Sequence, residues 1–208
     1  MYKHIIWDFD GTLFDTYQVM GRALQQSFQK IGIDEPLEQI IGLMKISISK
    51  ALKYYQDKYN IDEDFNREYE TLRRGMELEE CKPFPGVLEM LKHIKDTGRY
   101  NYIYTHRGIS TINLLKKHGI EDSFTDCITS QHSFERKPSP AAILYFIEKY
   151  NMKLQEAIMI GDRDLDILSA KNAGIQACFF DETCLKCEAA DYNIKSISQL
   201  REIIRLDK

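Results

Sequence analysis

No long run of apolar residues occurs in the sequence. None of its hydrophobic stretches approaches the ~18 residues of a membrane-spanning helix, and the one preceding Asp8 is too short for a signal peptide. A cytoplasmic protein without a membrane partner is therefore expected. Positive charge is not in excess either: 28 Lys and Arg stand against 32 Asp and Glu, a formal net charge of -4. That balance gives no general attraction to nucleic acid, so any anionic ligand must be captured by a few local cations. A disulfide framework is also missing. Cys81, Cys127, Cys178, Cys184 and Cys187 are an odd, scattered set of five, which points to a reducing compartment. Cys184-Leu-Lys-Cys187 has redox or zinc-ligand spacing but no second pair, and reads as two thiols that happen to be close. Internal repeats and low-complexity stretches are absent. The 208 residues, 43% of them hydrophobic, suffice for one sizeable core with a small satellite domain, or for one large domain.

What is present alternates. Tyr2 to Trp7 reads as a strand that is apolar on both faces, as buried parallel strands are. From Thr16 to Glu80 the spacing becomes helical, with Val19-Met20-Ala23-Leu24-Phe28-Ile31 and Ile48-Ala51-Leu52-Tyr55, and no strand pattern interrupts it. Cys81-Lys-Pro-Phe-Pro-Gly86 breaks the helical run. Strands are then expected over Tyr100–Tyr104, Thr125–Thr129, Ala157–Ile160 and Ile175–Phe179. Helices are expected between them: Val87 to Lys95, Ile109 to His118 closed by Gly119, a helix capped by Ser139 that runs to Tyr150, and Asp164 to Ala173 closed by Gly174. This alternation predicts an α/β fold, a parallel sheet with helices on both faces, with the all-helical segment inserted after the first strand. The expected boundaries are 1–15 and 82–208 for the core and 16–81 for the insertion.

Open parallel sheets bind ligands at the carboxyl ends of their strands. The polar residues collected there are Asp8 and Asp10, Thr105-His106-Arg107, and Asp162 through Asp166, with Lys137 before the helix that follows the third of the strands. A bare cluster of carboxylates at a buried rim is unstable, and a hard divalent cation relieves it. Mg²⁺ takes oxygen ligands from one or two carboxylates plus phosphate. Asp8 and Asp162 are the natural side-chain ligands, with Asp166 one helical turn on, placed to orient them. In an extended segment residues two apart point the same way, so Asp8 and Asp10 address one centre, where one could attack phosphorus while the other handles a proton. Lys137, the Thr105 hydroxyl and backbone N–H groups would hold the phosphoryl oxygens.

The four motifs Asp8-Phe-Asp10-Gly-Thr12, Thr105 after a strand, Lys137-Pro-Ser-Pro140, and Gly161-Asp162 followed by Asp166 together resemble the haloacid dehalogenase superfamily, over essentially the whole chain. The resemblance implies a Rossmann-like core with an inserted helical cap domain, similar to the phosphoglycolate phosphatase and β-phosphoglucomutase branch. By the same resemblance Asp8 is the nucleophile and Asp10 the general acid/base, its backbone carbonyl on Mg²⁺. Thr105 and Lys137 hold phosphate, Asp162 holds the metal, and Asp166 and Thr12 support the site. Dehalogenases replace the second Asp of the first motif, so its retention at Asp10 points to phosphate esters, and Thr12 points to phosphatases rather than mutases.

The function implied is a Mg²⁺-dependent phosphatase for a small phosphorylated metabolite, acting as a monomer or homodimer. A phosphomutase, or a regulatory protein that keeps the fold without turnover, is the alternative. Phosphoglycolate, a sugar phosphate, a nucleotide and pyrophosphate remain open as substrates. Two departures from the family pattern bear on that choice. His106 and Arg107 follow Thr105 where Asn, Ser or another small residue is usual, and Arg163 replaces a small Ser or Thr; such cations could narrow the pocket or meet a second anionic group of the substrate. For His106 and Arg107 this is set against side chains turned to solvent or salt-bridged to neighbouring acids. Lys45, in Gly42-Leu-Met-Lys45 of the insertion, is a further candidate substrate contact, set against a solvated lysine at a helix end. Tyr54, Tyr55, Tyr59 and Tyr69 read as packing within the insertion.

Overall fold

A computed structural model of the protein describes residues 1–205. They form two compact units: Met1–Phe14 together with the chain from Pro83 onward, and Asp15–Lys82. The first unit is α/β and Rossmann-like. Its strands are β1 (His4–Trp7), β2 (Tyr100–Tyr104), β3 (Asp126–Ile128), β4 (Ala157–Gly161), β5 (Gln176–Phe180) and β6 (Tyr192–Ile194). All neighbouring pairs are parallel, in the order β3-β2-β1-β4-β5-β6. Every residue of β1 and β4 is buried, which is why these strands read as continuous apolar runs and not as alternating ones. The edge strands β3 and β6 are three residues long and only partly buried, the usual way a sheet limits its exposed rim.

The second unit is helical: α1 (Tyr17–Lys30), α2 (Leu37–Ile46), α3 (Ile48–Tyr59) and α4 (Glu63–Glu80), with α1 packed on α2 and α4, and α2 on α3. Val19, Met20, Ala23, Leu24 and Phe28 are buried as their spacing predicts, whereas Ile31 lies beyond the end of α1 and is exposed. The Phe28 ring meets Tyr55 at 5.0 Å and Phe65 at 5.4 Å. Tyr55 and Tyr69 are buried, but Tyr54 is largely exposed and lies beside the Lys58 ammonium. Glu35 is buried and receives both Lys58 and the Tyr59 hydroxyl.

In the first unit the remaining helices are α5 (Val87–Asp96), α6 (Ser110–Lys117), α7 (Ala141–Lys149), α8 (Asp164–Asn172) and α9 (Leu200–Ile203). The turns closing α6 and α8 contain Gly119 and Gly174, as expected. The helix expected to be capped by Ser139 has Pro140 as its N-cap and begins at Ala141, and Ser139 Oγ accepts the Ala141 N–H at 3.3 Å. β6 and α9 carry too few apolar residues to announce themselves in sequence. All five cysteines are free thiols; Cys184 is exposed and Cys187 buried. No described helix is long and apolar enough to cross a membrane.

The chain winds from β1 outward through β2 to β3, then crosses to the other side of β1 to begin β4. The direction of winding therefore changes between β1 and β4, where open α/β sheets form their binding crevice. One buried polar residue ties this centre together. Asn101 on β2 accepts the Trp7 Nε1–H at 3.0 Å and donates to the carbonyls of Leu91 and Ser123 at 3.1 and 3.2 Å.

Removing that amide leaves an indole N–H and two carbonyls without their bonds, each a buried polar group of the kind whose orphaning costs 1–3 kcal/mol. Asn101→Ala is expected to lower unfolding stability by about 3 kcal/mol. The measurement is urea denaturation followed by fluorescence of Trp7, the single tryptophan; an unchanged midpoint would contradict the expectation.

Candidate active site

β1 delivers Asp8 to the carboxyl end of the sheet, where its N–H donates to the Ile160 carbonyl at 2.9 Å and prolongs the ladder by one residue. Regular pairing stops there. The Phe9 carbonyl accepts the N–H groups of Leu13 and Phe14 at 3.1 and 3.0 Å, and the Phe9 and Phe14 rings stack at 4.7 Å. Gly11, at φ +74°, takes the left-handed conformation this tight loop requires. Thr12 is fully buried within the loop, and its hydroxyl has no hydrogen-bond partner among the described residues.

β4 ends on Gly161, immediately before Asp162. A Cβ added to Gly161 would stand 2.3 Å from Asp166 Cβ, so only glycine allows the first turn of α8 to lie this close to the strand end. Asp166 there caps its own helix by accepting the Arg163 N–H at 3.1 Å. As a result Asp8, Asp162 and Asp166 each present a carboxylate oxygen, all within 4.8 Å of one another.

Lys137, from the segment between β3 and α7, enters this group. Its fully buried Nζ lies 2.5 Å from Asp8 Oδ1, 2.7 Å from Asp166 Oδ1 and 2.8 Å from the Tyr104 carbonyl. Burial works against the ammonium charge, but Asp166 and Asp8 outweigh it and hold the lysine above its ordinary pKa. Burial likewise pushes Asp166 up, and Lys137 and Arg163 overcome it to hold Asp166 below the usual carboxylate range. Asp8 is raised to about 6, first by burial and then by the neighbouring Asp166 charge. Asp162 is raised well above its ordinary value by the same two causes.

Two carboxylate oxygens in this group, Asp8 Oδ2 and Asp162 Oδ1, are closed off from solvent and have no hydrogen-bond partner among the described residues. Buried acceptors are ordinarily satisfied. Two oxygen donors converging beside a third carboxylate fit a hard divalent cation such as Mg²⁺.

The other candidates fall into place around this cluster. Asp10 is buried, and its side chain lies outside the group of three. The regular ladder ends at Asp8, and the Asp10 carboxylate, expected from sequence to address the same centre as Asp8, accepts from Arg107 Nη1 at 2.6 Å. Thr105 is buried and its Oγ1 accepts the Arg107 N–H at 3.1 Å. His106, considered as a substrate contact, faces inward: its Nε2 accepts the Lys137 N–H at 3.0 Å. Burial and then the Lys137 charge push its pKa down to about 3, which suits the role of neutral acceptor. The Arg163 guanidinium is half-buried, with Nε 3.8 Å from Asp166. Lys45 lies exposed on α2 in the helical unit. The sequence left a salt bridge to neighbouring acids open for His106 and Arg107 but named neither partner, since Lys137 and Asp10 are 31 and 97 positions away.

Comparison with known proteins agrees with this architecture. The model of the haloacid dehalogenase-like hydrolase family matches residues 5–180. A phosphoglycolate phosphatase from Vibrio parahaemolyticus is 26% identical, the match covering 97% of this chain and 96% of that protein. A 5'-nucleotidase from Pseudomonas aeruginosa is 25% identical over 98% of this chain and 96% of its own. The crystal structure of a hydrolase from Streptococcus pneumoniae TIGR4 superposes with a TM-score of 0.71 at 28% identity, covering 98% of both chains. With a parallel sheet of this order, carboxylates at the ends of β1 and β4, and a family match across most of its length, the chain belongs to the haloacid dehalogenase-like hydrolases, among the phosphatases of that family.

Proposed function

We propose that the protein is a Mg²⁺-dependent phosphatase that hydrolyses a small phosphorylated metabolite, of the phosphoglycolate or sugar phosphate kind, through an aspartyl-phosphate on Asp8. The observation that carries this reading is the pair of unpartnered, buried carboxylate oxygens on Asp8 and Asp162, beside an Asp8 whose other oxygen is held by Lys137. Asp8 and Asp162 would hold the metal with their carboxylates, and Asp10 with its backbone carbonyl. When bound, Mg²⁺ neutralises charge on the phosphoryl oxygens.

The chain's own groups do the rest. An Asp8 carboxylate oxygen forms a bond to phosphorus as the ester P–O bond breaks, and the departing oxygen takes a proton from the Asp10 carboxyl. Water then attacks phosphorus and passes its proton to Asp10, the P–O bond to Asp8 breaks, and inorganic phosphate leaves. Lys137 fixes Asp8 and offers charge to the phosphoryl oxygens, with the Thr105 hydroxyl beside it. Asp166 keeps Lys137 in place, and Thr12 shapes the loop. The helical unit serves as the cap that admits substrate, with Lys45 among its candidate contacts.

Asp8→Asn is expected to abolish phosphate release from p-nitrophenyl phosphate in Mg²⁺, by at least about 10³-fold, with the circular dichroism spectrum unchanged. Acid quenching of the wild type during turnover should trap label on Asp8. Undiminished release by the variant would remove Asp8 as nucleophile, and isomerisation of a sugar phosphate without release of phosphate would make the protein a mutase.

The raised carboxyls give a second expectation. A carboxyl whose folded pKa lies above its unfolded value stabilises the metal-free fold at low pH, and that contribution fades as pH rises through the folded value, here about 6 for Asp8. Metal binding requires the deprotonated form. The Mg²⁺-induced rise in Tm, reversed by EDTA, should therefore be larger at pH 7.5 than at pH 5. An equal shift at both pH values, or none, would count against a metal bound by Asp8.

A further inference from the structure

Arg107 is the one cation of the strand-end segment after β2 that the proposed chemistry leaves without a task, and its surroundings are specific. Its N–H donates to Thr105 Oγ1 at 3.1 Å, its Nη2 to Ser110 Oγ at 3.1 Å and its Nη1 to Asp10 Oδ1 at 2.6 Å. The guanidinium carbon stands 5.4 Å from the centre of the Phe9 ring. Side-chain exposure is 5% for Arg107 and 9% for Asp10, so this cation is spent inside the protein and is not displayed to a ligand.

From this geometry we infer that Arg107 is a positioning residue for Asp10: it fixes where the carboxyl that serves the leaving oxygen is presented, and it does not recognise the substrate. A planar guanidinium suits the task because its fork binds two oxygens at once in fixed directions. Here one tine takes Asp10 Oδ1 and the other is anchored by Ser110, while Thr105 secures the backbone of Arg107. The third residue after the strand thereby ties the loop of β1 to the N-terminus of α6, and the side chain of Asp10 cannot swing without breaking a buried ion pair. The inference rests on the proposed role of Asp10 and adds the group that makes that role geometrically definite.

The test compares leaving groups. An alkyl phosphate expels a basic oxygen that needs a proton in the transition state, whereas 2,4-dinitrophenyl phosphate expels a stable phenolate that does not. The readout is the ratio of kcat/KM for phenylethyl phosphate to kcat/KM for 2,4-dinitrophenyl phosphate, since kcat/KM reports the steps through departure of the leaving group. For Arg107→Leu the ratio should fall by about tenfold or more, because general acid assistance is worth 10²–10⁴-fold when well placed. Arg107→Lys, which keeps the charge, should recover part of it. Asp10→Asn on the same pair of substrates is the control for the underlying reading.

If Asp10→Asn leaves the ratio unchanged, the proposed role of Asp10 fails. If Asp10→Asn lowers it but Arg107→Leu slows both substrates equally, Arg107 is merely structural and the inference is overturned. A rise in KM confined to substrates that carry a second anionic group would also overturn it, in favour of substrate recognition. Should Arg107→Leu fail to fold, Arg107→Lys and Ser110→Ala carry the same comparison, each expected to lower the ratio by a few-fold, and an unchanged ratio in both would overturn the inference.

Discussion

The structure around the strand ends depends on a single buried ammonium group. Lys137 stands between Asp8 and Asp166 with none of its side chain exposed, in a place where carboxylates would otherwise face each other across a few ångströms. Removing one partner of such a buried pair typically costs 3–5 kcal/mol, because the remaining charge is left without compensation. Several local features serve this one placement. The Tyr104 carbonyl takes a third contact of the ammonium, and His106 accepts the backbone N–H of the same lysine. Gly161 gives way so that Asp166 can approach. The lysine satisfies one oxygen of Asp8 and leaves the other open, so the arrangement that stabilises the fold is also the one that prepares the nucleophile proposed above.

Much of this was legible in the sequence, and for identifiable reasons. Strands β1, β4 and β5 are buried over almost all of their length, so they read as largely apolar runs, and glycines mark the ends of α6 and α8. The acidic residues stood out because Asp is disfavoured where a strand ends in a core, and an unfavourable residue at a strand end marks a site more clearly than a favourable one. Asp8, Lys137, Asp162 and Asp166 come from three separate regions of the chain and meet within a few ångströms.

What sequence did not disclose is direction. His106 and Arg107 were identifiable as unusual cations beside a strand end, where contact with an anionic ligand and a salt bridge to a neighbouring acid were both open. Both turn inward, one to a backbone N–H and the other to Asp10. Periodicity reports which face of an element is apolar; it holds no record of a charge partner about a hundred residues away. The same limit explains β6, whose three residues owe their place to pairing with β5 and not to any pattern of their own. Ile31 and Tyr54 show a milder version: the first fits a helical spacing but falls past the end of its helix, and the second, read as packing, lies on the exposed side of its helix.

The path of the chain at the entrance to the helical unit has an evolutionary consequence. Phe14 pairs with Pro83 in a short antiparallel bridge, and the Phe84 N–H reaches the Leu13 carbonyl at 3.0 Å, so the sheet-bearing unit closes on itself at the point where the intervening segment departs and returns. A segment spliced in at so tight a seam can be lengthened, shortened or exchanged wholesale while the strands that carry the machinery stay in register. Diversification of what such a scaffold acts upon would then accumulate in the graft, leaving the reactive chemistry as common inheritance.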